Sequence, residues 1–229
     1  MNANVEGIEG IEVIHLGEVP YREALEIQRE VHAERAAGNR GDTLILLTHP
    51  PVVTLGRGSD PGHLLLSPEE YASRGVEVVE TDRGGDVTFH GPGQLVGYPI
   101  IDLRENGLGP RTYLRALEQS LITLVSEYGL EGSRVPGRTG VWLGVEKVAA
   151  IGIRVSRGVS LHGFALNVTT DPRGFDLIVP CGIRDRGVTS LDIHLREPID
   201  VNDAARRYPD HLRAVLADPR QHDPATGET

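Results

Sequence analysis

The sequence of 229 residues has little of what several protein classes require. Its single cysteine excludes an intrachain disulfide and any metal site built from several thiolates. Its nine histidines show no HExxH or similar spacing, so we expect no metal. An apolar run of roughly 18 residues, enough for a membrane helix, is absent, as is a secretion signal at the start. We therefore expect a cytoplasmic protein with no membrane association.

Positive charge is also scarce. The chain has 23 lysines and arginines against 33 aspartates and glutamates, a net charge of −10, which argues against a nucleic-acid partner. Lys147 is the only lysine among those basic residues. Arginine stays protonated, whereas a buried lysine can lose its proton and act as a base. A solitary lysine therefore marks either a position where arginine will not serve or a chance survivor on the surface.

The order of apolar segments indicates one domain over residues 1–217, followed by a polar and mobile tail over 218–229. Apolar periodicity predicts strands and helices without a regular βαβ alternation, so the expected class is α+β with mixed β-sheets and flanking helices. The predicted elements are a strand at 9–16, a helix at 21–37, two buried strands within 43–56, a helix along 114–128, an antiparallel meander over 139–168 and a helix at 200–217 that Pro209 kinks or divides.

The densest candidate site is RGGDVTFHGPGQLVGYPI, residues 83–100. Glycines let a ligand approach the backbone, and free N–H groups beside the Arg83 guanidinium suit a carboxylate, phosphate or carbonyl. The segment lacks the GxxxxGK[ST] pattern of a phosphate-binding loop. The alternative is a Gly/Pro-rich turn between strands, with His90 an ordinary packed histidine.

The only thiol lies in LIVPCGIRDRGVTSL, residues 177–191. Cys181 sits between Pro180 and Gly182, where a strand passes into a turn, and Arg184 and Arg186 follow it. Nearby cations lower the pKa of a thiol and raise its thiolate fraction, which a nucleophilic cysteine needs. The alternative is a buried structural cysteine.

Lys147 opens the strand-like segment KVAAIGIRV. If the strand is regular, Lys147 shares an apolar face with Ala149, Ile151, Ile153 and Val155, and partial desolvation there lowers its pKa. The alternative is a lysine whose stem packs while its head stays in water. In the following segment, SLHGFALNV, His162 is like His90 a candidate for orienting a substrate.

Together these segments resemble the lipoyl(octanoyl) transferase family, in the order RGGDVTFHGPGQLVGYPI, GVEKVAAIGIRV, HGFALNV and VPCGI over roughly residues 40–195. The resemblance implies the catalytic fold of biotin and lipoate protein ligases, which is class II synthetase-like. It also implies that an octanoyl group passes from its acyl carrier protein to a cysteine and then to a lysine of a lipoyl domain, with no nucleotide or other cofactor. The implied acceptors are the lipoyl domains of 2-oxoacid dehydrogenase E2 subunits and the glycine cleavage H protein.

The same resemblance implies that Cys181 carries the acyl group and that Lys147 assists its thiol. The residues that it places around the acyl group are Arg83, Gly84, Gly85, Asp86, Val87, Thr88, Phe89, His90, Ala150, Ile151, Gly152, Gly163, Phe164 and Ala165. Two alternatives stay open, an ATP-dependent lipoate or biotin ligase of the same fold and a non-catalytic acyl-binding protein. Because acyl carrier proteins are acidic, a local arginine patch is expected for docking, at Arg154, Arg157, Arg184 and Arg186.

Overall fold

The structure is a computed structural model that describes residues 4–8, 10–179 and 187–218. Cys181, Arg184 and Arg186, and the tail beyond residue 218, lie outside the described residues. Within the described chain, strands and helices are intermixed in mixed sheets with flanking helices, as the sequence predicts.

The strands form two sheets. They are β1 Asn4–Ile8, β2 Ile11–Glu18, β3 Asp42–Thr48, β4 Val52–Leu55, β5 Glu77–Glu80, β6 Val87–His90, β7 Gln94–Ile100, β8 Gly132–Val135, β9 Arg138–Leu143, β10 Glu146–Ser156 and β11 Val159–Asn167. The larger sheet has eight strands in the order β1-β2-β3-β7-β11-β10-β9-β8, and the smaller has the order β5-β4-β6. Pairing is antiparallel except between β2 and β3 and between β4 and β5.

The helices are α1 Tyr21–Ala36, α2 Pro68–Ser73, α3 Pro110–Glu127, α4 Leu191–His194 and α5 Val201–Ala217, with 3-10 turns at Pro61–His63 and Pro172–Leu177. The predicted helix that begins at Asp200 is confirmed, since its side chain accepts the Asn202 N–H as an N-cap. Of the two expectations for Pro209, division of the helix is wrong, because α5 continues through that residue, whereas a kink there stays a prediction. Among the described residues, no helix combines the length and the hydropathy that a bilayer crossing needs.

The main core lies on one face of the large sheet, beneath α3 and α5. Amphipathic α3 contributes Leu117, Leu121 and Leu124, each with no exposed surface, because leucines three and four positions apart fall on one side of a helix. The sheet contributes Phe164 and Leu166 of β11, among others. A second apolar cluster covers the opposite face under α1 and includes the alternate β11 residues Leu161 and Ala165.

The predicted meander is confirmed as β9, β10 and β11, which pair antiparallel in chain order. The two strands predicted within 43–56 are also confirmed, but they belong to different sheets. Pro50 and Pro51 separate β3, in the large sheet, from β4, in the small one. The small sheet packs against α1, since Tyr21 and Leu25 share an apolar cluster with Val52 and Val79.

Candidate active site

A cavity of about 790 Å³ lies against β10 and β11, a volume within the range typical of small-molecule sites. Most of the residues singled out in the sequence line it together with Lys147: Arg83, Gly84, Gly85, Asp86, Thr88, His90, Ala150, Ile151, Gly152, Gly163, Phe164 and Ala165. Three segments that are distant in sequence thus meet at one site. Val87 and Phe89 do not line it, since the strand alternation of β6 turns both into the apolar cluster of the small sheet.

Lys147 reaches the cavity because β10 is not regular. The register against β9 shifts between Lys147 and Ala149, so that Lys147 pairs with Trp142 and Ala149 with Val141. Val148 is the additional residue of this β-bulge, which reverses the alternation of faces. Ala149 and Val141 lie in the main core, whereas Lys147 lies on the opposite face with Trp142. The expectation that Lys147 shares a face with Ala149, Ile151, Ile153 and Val155 is therefore wrong.

The Lys147 side chain has intermediate exposure and lies over an aromatic platform. Its Nζ is 5.0 Å from the centre of the Trp142 ring, which is completely buried. Gly140, two residues before Trp142, leaves room for the lysine stem: a Cβ at Gly140 would lie 3.5 Å from Lys147 Cε. The same Cβ would be 2.4 Å from the Ala149 carbonyl oxygen, so this position excludes every larger residue.

The backbone of Lys147 is joined to the chain that follows Cys181. Its N–H donates to the carbonyl of Gly187 at 3.0 Å, and its carbonyl accepts the N–H of Thr189 at 3.0 Å. On the other side of the undescribed residues, the Val179 N–H donates to the His63 carbonyl at 2.9 Å. Residues 180–186, with Cys181, therefore connect two segments that are hydrogen-bonded to the described body, one of them to the strand that bears Lys147.

The opposite end of the cavity is formed by the Gly-rich loop at 83–86. Arg83 is buried and binds Thr54 through Nε to the hydroxyl at 3.2 Å and through Nη2 to the carbonyl at 2.6 Å. The Gly84 N–H donates to the Ile153 carbonyl of β10 at 2.9 Å. The expectation that the N–H groups of this loop are free to bind a ligand is therefore wrong for Gly84. A Cβ at Gly152 would lie 2.7 Å from the Gly84 carbonyl oxygen, so glycine there permits the loop to approach the strand.

His90 belongs to a buried network of side-chain amides. Its Nδ1 lies 2.7 Å from Oε1 of Gln94, whose Nε2 donates to Oδ1 of Asn167 at 2.9 Å. Asn167 Nδ2 in turn donates to the Thr189 carbonyl at 2.9 Å. Because Gln94 uses its amide as a donor, its oxygen is the acceptor and the proton of neutral His90 is on Nδ1. The network therefore connects the cavity wall to the segment that holds the Lys147 backbone.

The histidines at this end are electrically neutral. Burial, aided by nearby His49 and Arg83, lowers the pKa of His90 to about 3, and burial likewise lowers the pKa of His49 to about 4. His49 Nδ1 donates to the Val19 carbonyl at 2.6 Å, which leaves Nε2 to accept from the Tyr98 hydroxyl at 2.7 Å. The sequence analysis missed His49, which stands in no recognisable motif, and assigned no role to Tyr98 within the segment 83–100.

His162 also lines the cavity, and its ring is held by the protein itself. Its Nε2 is 2.7 Å from an oxygen of Asp82, which also pairs with Arg154. Its backbone φ of 58° lies in the left-handed region, and its N–H donates to the Gln28 side chain of α1 at 3.0 Å. Such backbone strain is concentrated at functional sites and needs firm support from the surroundings.

The arrangement combines an apolar wall with one amine. Val96, Ala150 and Ala165, of which the last two are cross-strand partners, supply hydrocarbon surface on the same face as Lys147. Among the described residues, no group of three or more histidine, cysteine, aspartate or glutamate side chains is arranged to hold a metal ion. A cavity of this kind suits an apolar chain with a reactive polar end placed near the amine.

The chain is similar to known proteins over most of its length. The family model described as the lipoyl protein ligase A/B catalytic domain matches residues 20–213, a wider span than the motifs cover. The octanoyltransferase of Acidobacterium capsulatum is 53% identical over 198 residues, which are 81% of this chain and 80% of that protein.

Two solved structures share the fold. Lipoate-protein ligase A bound with ATP is similar with a TM-score of 0.66 at 16% identity, covering 92% of this chain and 95% of the other. The apo biotin protein ligase of Aquifex aeolicus is similar with a TM-score of 0.53 at 12% identity, covering 93% of this chain and 72% of that one. At these identities the likeness concerns the fold alone.

Proposed function

Because the chain belongs to the lipoyl protein ligase A/B catalytic-domain family, we propose that it transfers an octanoyl group from an acyl carrier protein to the lysine of a lipoyl domain, through a thioester on Cys181. The observation that carries this proposal is the β-bulge at Val148, which turns the only lysine of the chain into an apolar cavity. The 53% identity to a relative named octanoyltransferase supports the choice of acyl group.

In the first half-reaction, neutral Lys147 takes the proton of the Cys181 thiol. The sulfur attacks the thioester carbonyl carbon, a new carbon–sulfur bond forms, and the bond to the carrier sulfur breaks. The Lys147 ammonium then protonates the departing carrier thiolate. One thioester replaces another, so this step is nearly balanced in free energy and its barrier is what catalysis must lower.

In the second half-reaction, the acceptor amine attacks the same carbonyl carbon. A carbon–nitrogen bond forms, the bond to Cys181 breaks, and the amine proton passes to Lys147, which returns it to the sulfur. The product is an amide, which is far more stable than a thioester, so transfer proceeds in one direction. An arginine at position 147 would not serve, because a guanidinium stays protonated.

The apolar wall of Val96, Ala150 and Ala165 is the proposed binding surface for the acyl chain. Burial contributes about 0.8 kcal/mol per methylene, so one methylene more or less changes affinity only severalfold. We expect a graded preference for octanoyl over neighbouring chain lengths. The neutral histidines at the loop end suit this ligand, because an acyl thioester has no charge to balance.

Docking of the donor requires local positive charge, because carrier proteins and this chain, at −10, are both acidic. Of the four arginines expected to form the patch, Arg154 is engaged by Asp82, whereas Arg157 is exposed in the turn between β10 and β11. Arg184 and Arg186 lie outside the described residues. We expect Arg157→Gln to raise the KM for the carrier protein and weaken its salt dependence, with exposed Arg196→Gln as the matched control.

The remaining expectations extend this proposal. A single domain ends near residue 217, and the acceptors are lipoyl domains of 2-oxoacid dehydrogenase E2 subunits and the glycine cleavage H protein. Catalysis needs a free thiol on Cys181, and the reducing cytoplasm preserves one. No cofactor takes part in the proposed transfer.

Intact-mass analysis with octanoyl carrier protein tests the proposal. The chain should gain the mass of one octanoyl group, hydroxylamine should remove it, and Cys181→Ala should neither gain it nor transfer it. ATP-dependent pyrophosphate release without an adduct would instead identify a ligase. Full transfer by Cys181→Ala would contradict the thioester and favour an acyl-binding role.

A further inference from the structure

We propose that Trp142 is a positioning residue whose ring face holds the Lys147 ammonium within the cavity. The inference rests on the proposed function for the role of Lys147 in proton transfer. The contact itself rests on the geometry of β9 and β10, where the two residues are direct cross-strand partners.

The geometry suits a cation–π interaction. Lys147 Nζ lies 5.0 Å from the centre of the Trp142 ring, within the roughly 6 Å over which such contacts are attractive. Tryptophan offers the most favourable ring face, and this side chain has no exposed surface. The ring itself is shielded from water and Lys147 is only partly exposed, which strengthens the attraction relative to a fully exposed pair.

The strand register leaves little freedom in this pair. Trp142 is bracketed by Ser133 of β8 and Lys147 of β10, so its backbone is paired on both sides. The bulge at Val148 places the lysine and the ring on the same face. Gly140, the next residue of β9 on that face, adds no side chain that would push the lysine stem off the ring.

The chemistry of the ring suits a place beside a proton-transfer lysine. The quadrupole of an indole ring attracts an ammonium group, and the ring has no basic atom that could take its proton. The ring therefore contributes to the position of the amine without itself accepting a proton from it.

The test uses the fact that the chain has one lysine. Protein labelled with ε-¹³C lysine gives one side-chain NMR signal, whose pH titration reports Lys147 directly. We expect Trp142→Leu to lower the titration midpoint by roughly 0.5 to 1.5 pH units, because the ammonium loses the ring. Trp142→Phe, which keeps a ring face, should retain most of the midpoint.

Kinetics supply the second measurement. Trp142→Leu should lower kcat for octanoyl transfer at nearly unchanged KM, and Trp142→Phe should restore much of it. Leu124→Ala, in α3 and completely buried, is the control for loss of core packing. It should lower the melting temperature without moving the Lys147 midpoint.

An unchanged or raised midpoint in folded Trp142→Leu would overturn the proposal, as would an equal shift in Leu124→Ala. These outcomes are separate from failure of the proposed function. The NMR titration reports the contact between amine and ring even in a protein that forms no thioester, whereas intact-mass analysis reports the thioester alone.

Discussion

The two ends of the cavity differ in whether the charge of their side chains can change. At the loop end, Arg83 is bound to Thr54 and Gly84, and His90 and His49 are kept neutral by burial. At the other end, Lys147 has intermediate exposure and lies over a ring that offers no proton acceptor. The first end has charges that stay constant, and the second presents a group whose protonation can change during a reaction.

The difference follows from the backbone at each end. The Gly-rich loop is held by backbone hydrogen bonds. The Arg57 N–H donates to the Arg83 carbonyl and the Gly58 N–H donates to the Gly85 carbonyl, each at 3.0 Å. Lys147 instead stands beside a β-bulge, which re-aims one side chain without disturbing the rest of the strand. The fixed loop and the orientation of Lys147 into the cavity thus have different origins, the first in backbone hydrogen bonds and the second in a break of strand register.

The largest effect is expected from a substitution that fixes the positive charge at position 147, so that both ends of the cavity have constant charge. Lys147→Arg keeps the positive charge but removes the option of neutrality, so we expect kcat to fall by roughly 10²- to 10⁴-fold. Steady-state transfer assays provide the measurement. The reciprocal exchange at the exposed Arg196, to lysine, is the matched control and should leave the rate unchanged. Wild-type turnover in Lys147→Arg would end the assignment of this amine as the base.

A pair of glycine substitutions separates the two ends. Gly140→Ala places a Cβ against the Ala149 carbonyl at a φ of 122°, and we expect it to lower the free energy of unfolding by about 2–4 kcal/mol and reduce kcat. Gly152→Ala displaces the loop at Gly84 and should mainly raise the KM for the acyl donor. Urea unfolding and transfer kinetics measure both. Equal effects on kcat and KM in the two variants would contradict the division of roles.

Three of the four segments predicted from the sequence line the cavity, whereas Cys181 of the fourth lies outside the described residues. Glycine clusters and a solitary lysine drew attention to the Gly-rich loop and to Lys147 because those residue types have few substitutes. The prediction that side chains alternate strictly along the strand put Lys147 on the wrong face. The bulge depends on pairing with β9, so the local sequence KVAAIG gives no sign of it. Tyr98 and His49 were missed for a similar reason, because only the three-dimensional fold brings β7 beside the residue that follows β3.

A substitution in the buried amide network tests whether the two ends of the cavity are coupled, and its expected effect is smaller. Asn167→Leu removes the acceptor of Gln94 and the donor to the Thr189 carbonyl. An unsatisfied buried polar group costs about 1–3 kcal/mol, so we expect a loss of stability of that size. Urea unfolding measures the loss, and NMR of the ¹³C-labelled lysine shows whether the change reaches Lys147. An unshifted lysine signal would mean that the network supports the loop end only.

A pH-dependent effect on stability concerns the neutral histidines at the loop end. Burial lowers the pKa of His49 to about 4 and of His90 to about 3, whereas an unfolded histidine titrates near 6.5. Below pH 6.5 the unfolded chain therefore binds protons that the folded chain does not, and stability falls as the pH drops from about 6 to 4.

Each of these two histidines contributes a slope of up to about 1.4 kcal/mol per pH unit within that window. His49→Gln removes one of them, so its free energy of unfolding should depend less steeply on pH than that of the wild type, as measured by urea unfolding at several pH values. Exposed His194→Gln serves as the control. An identical slope in His49→Gln and the wild type would show that His49 is protonated within the fold, and the constant charge at the loop end would then need another source.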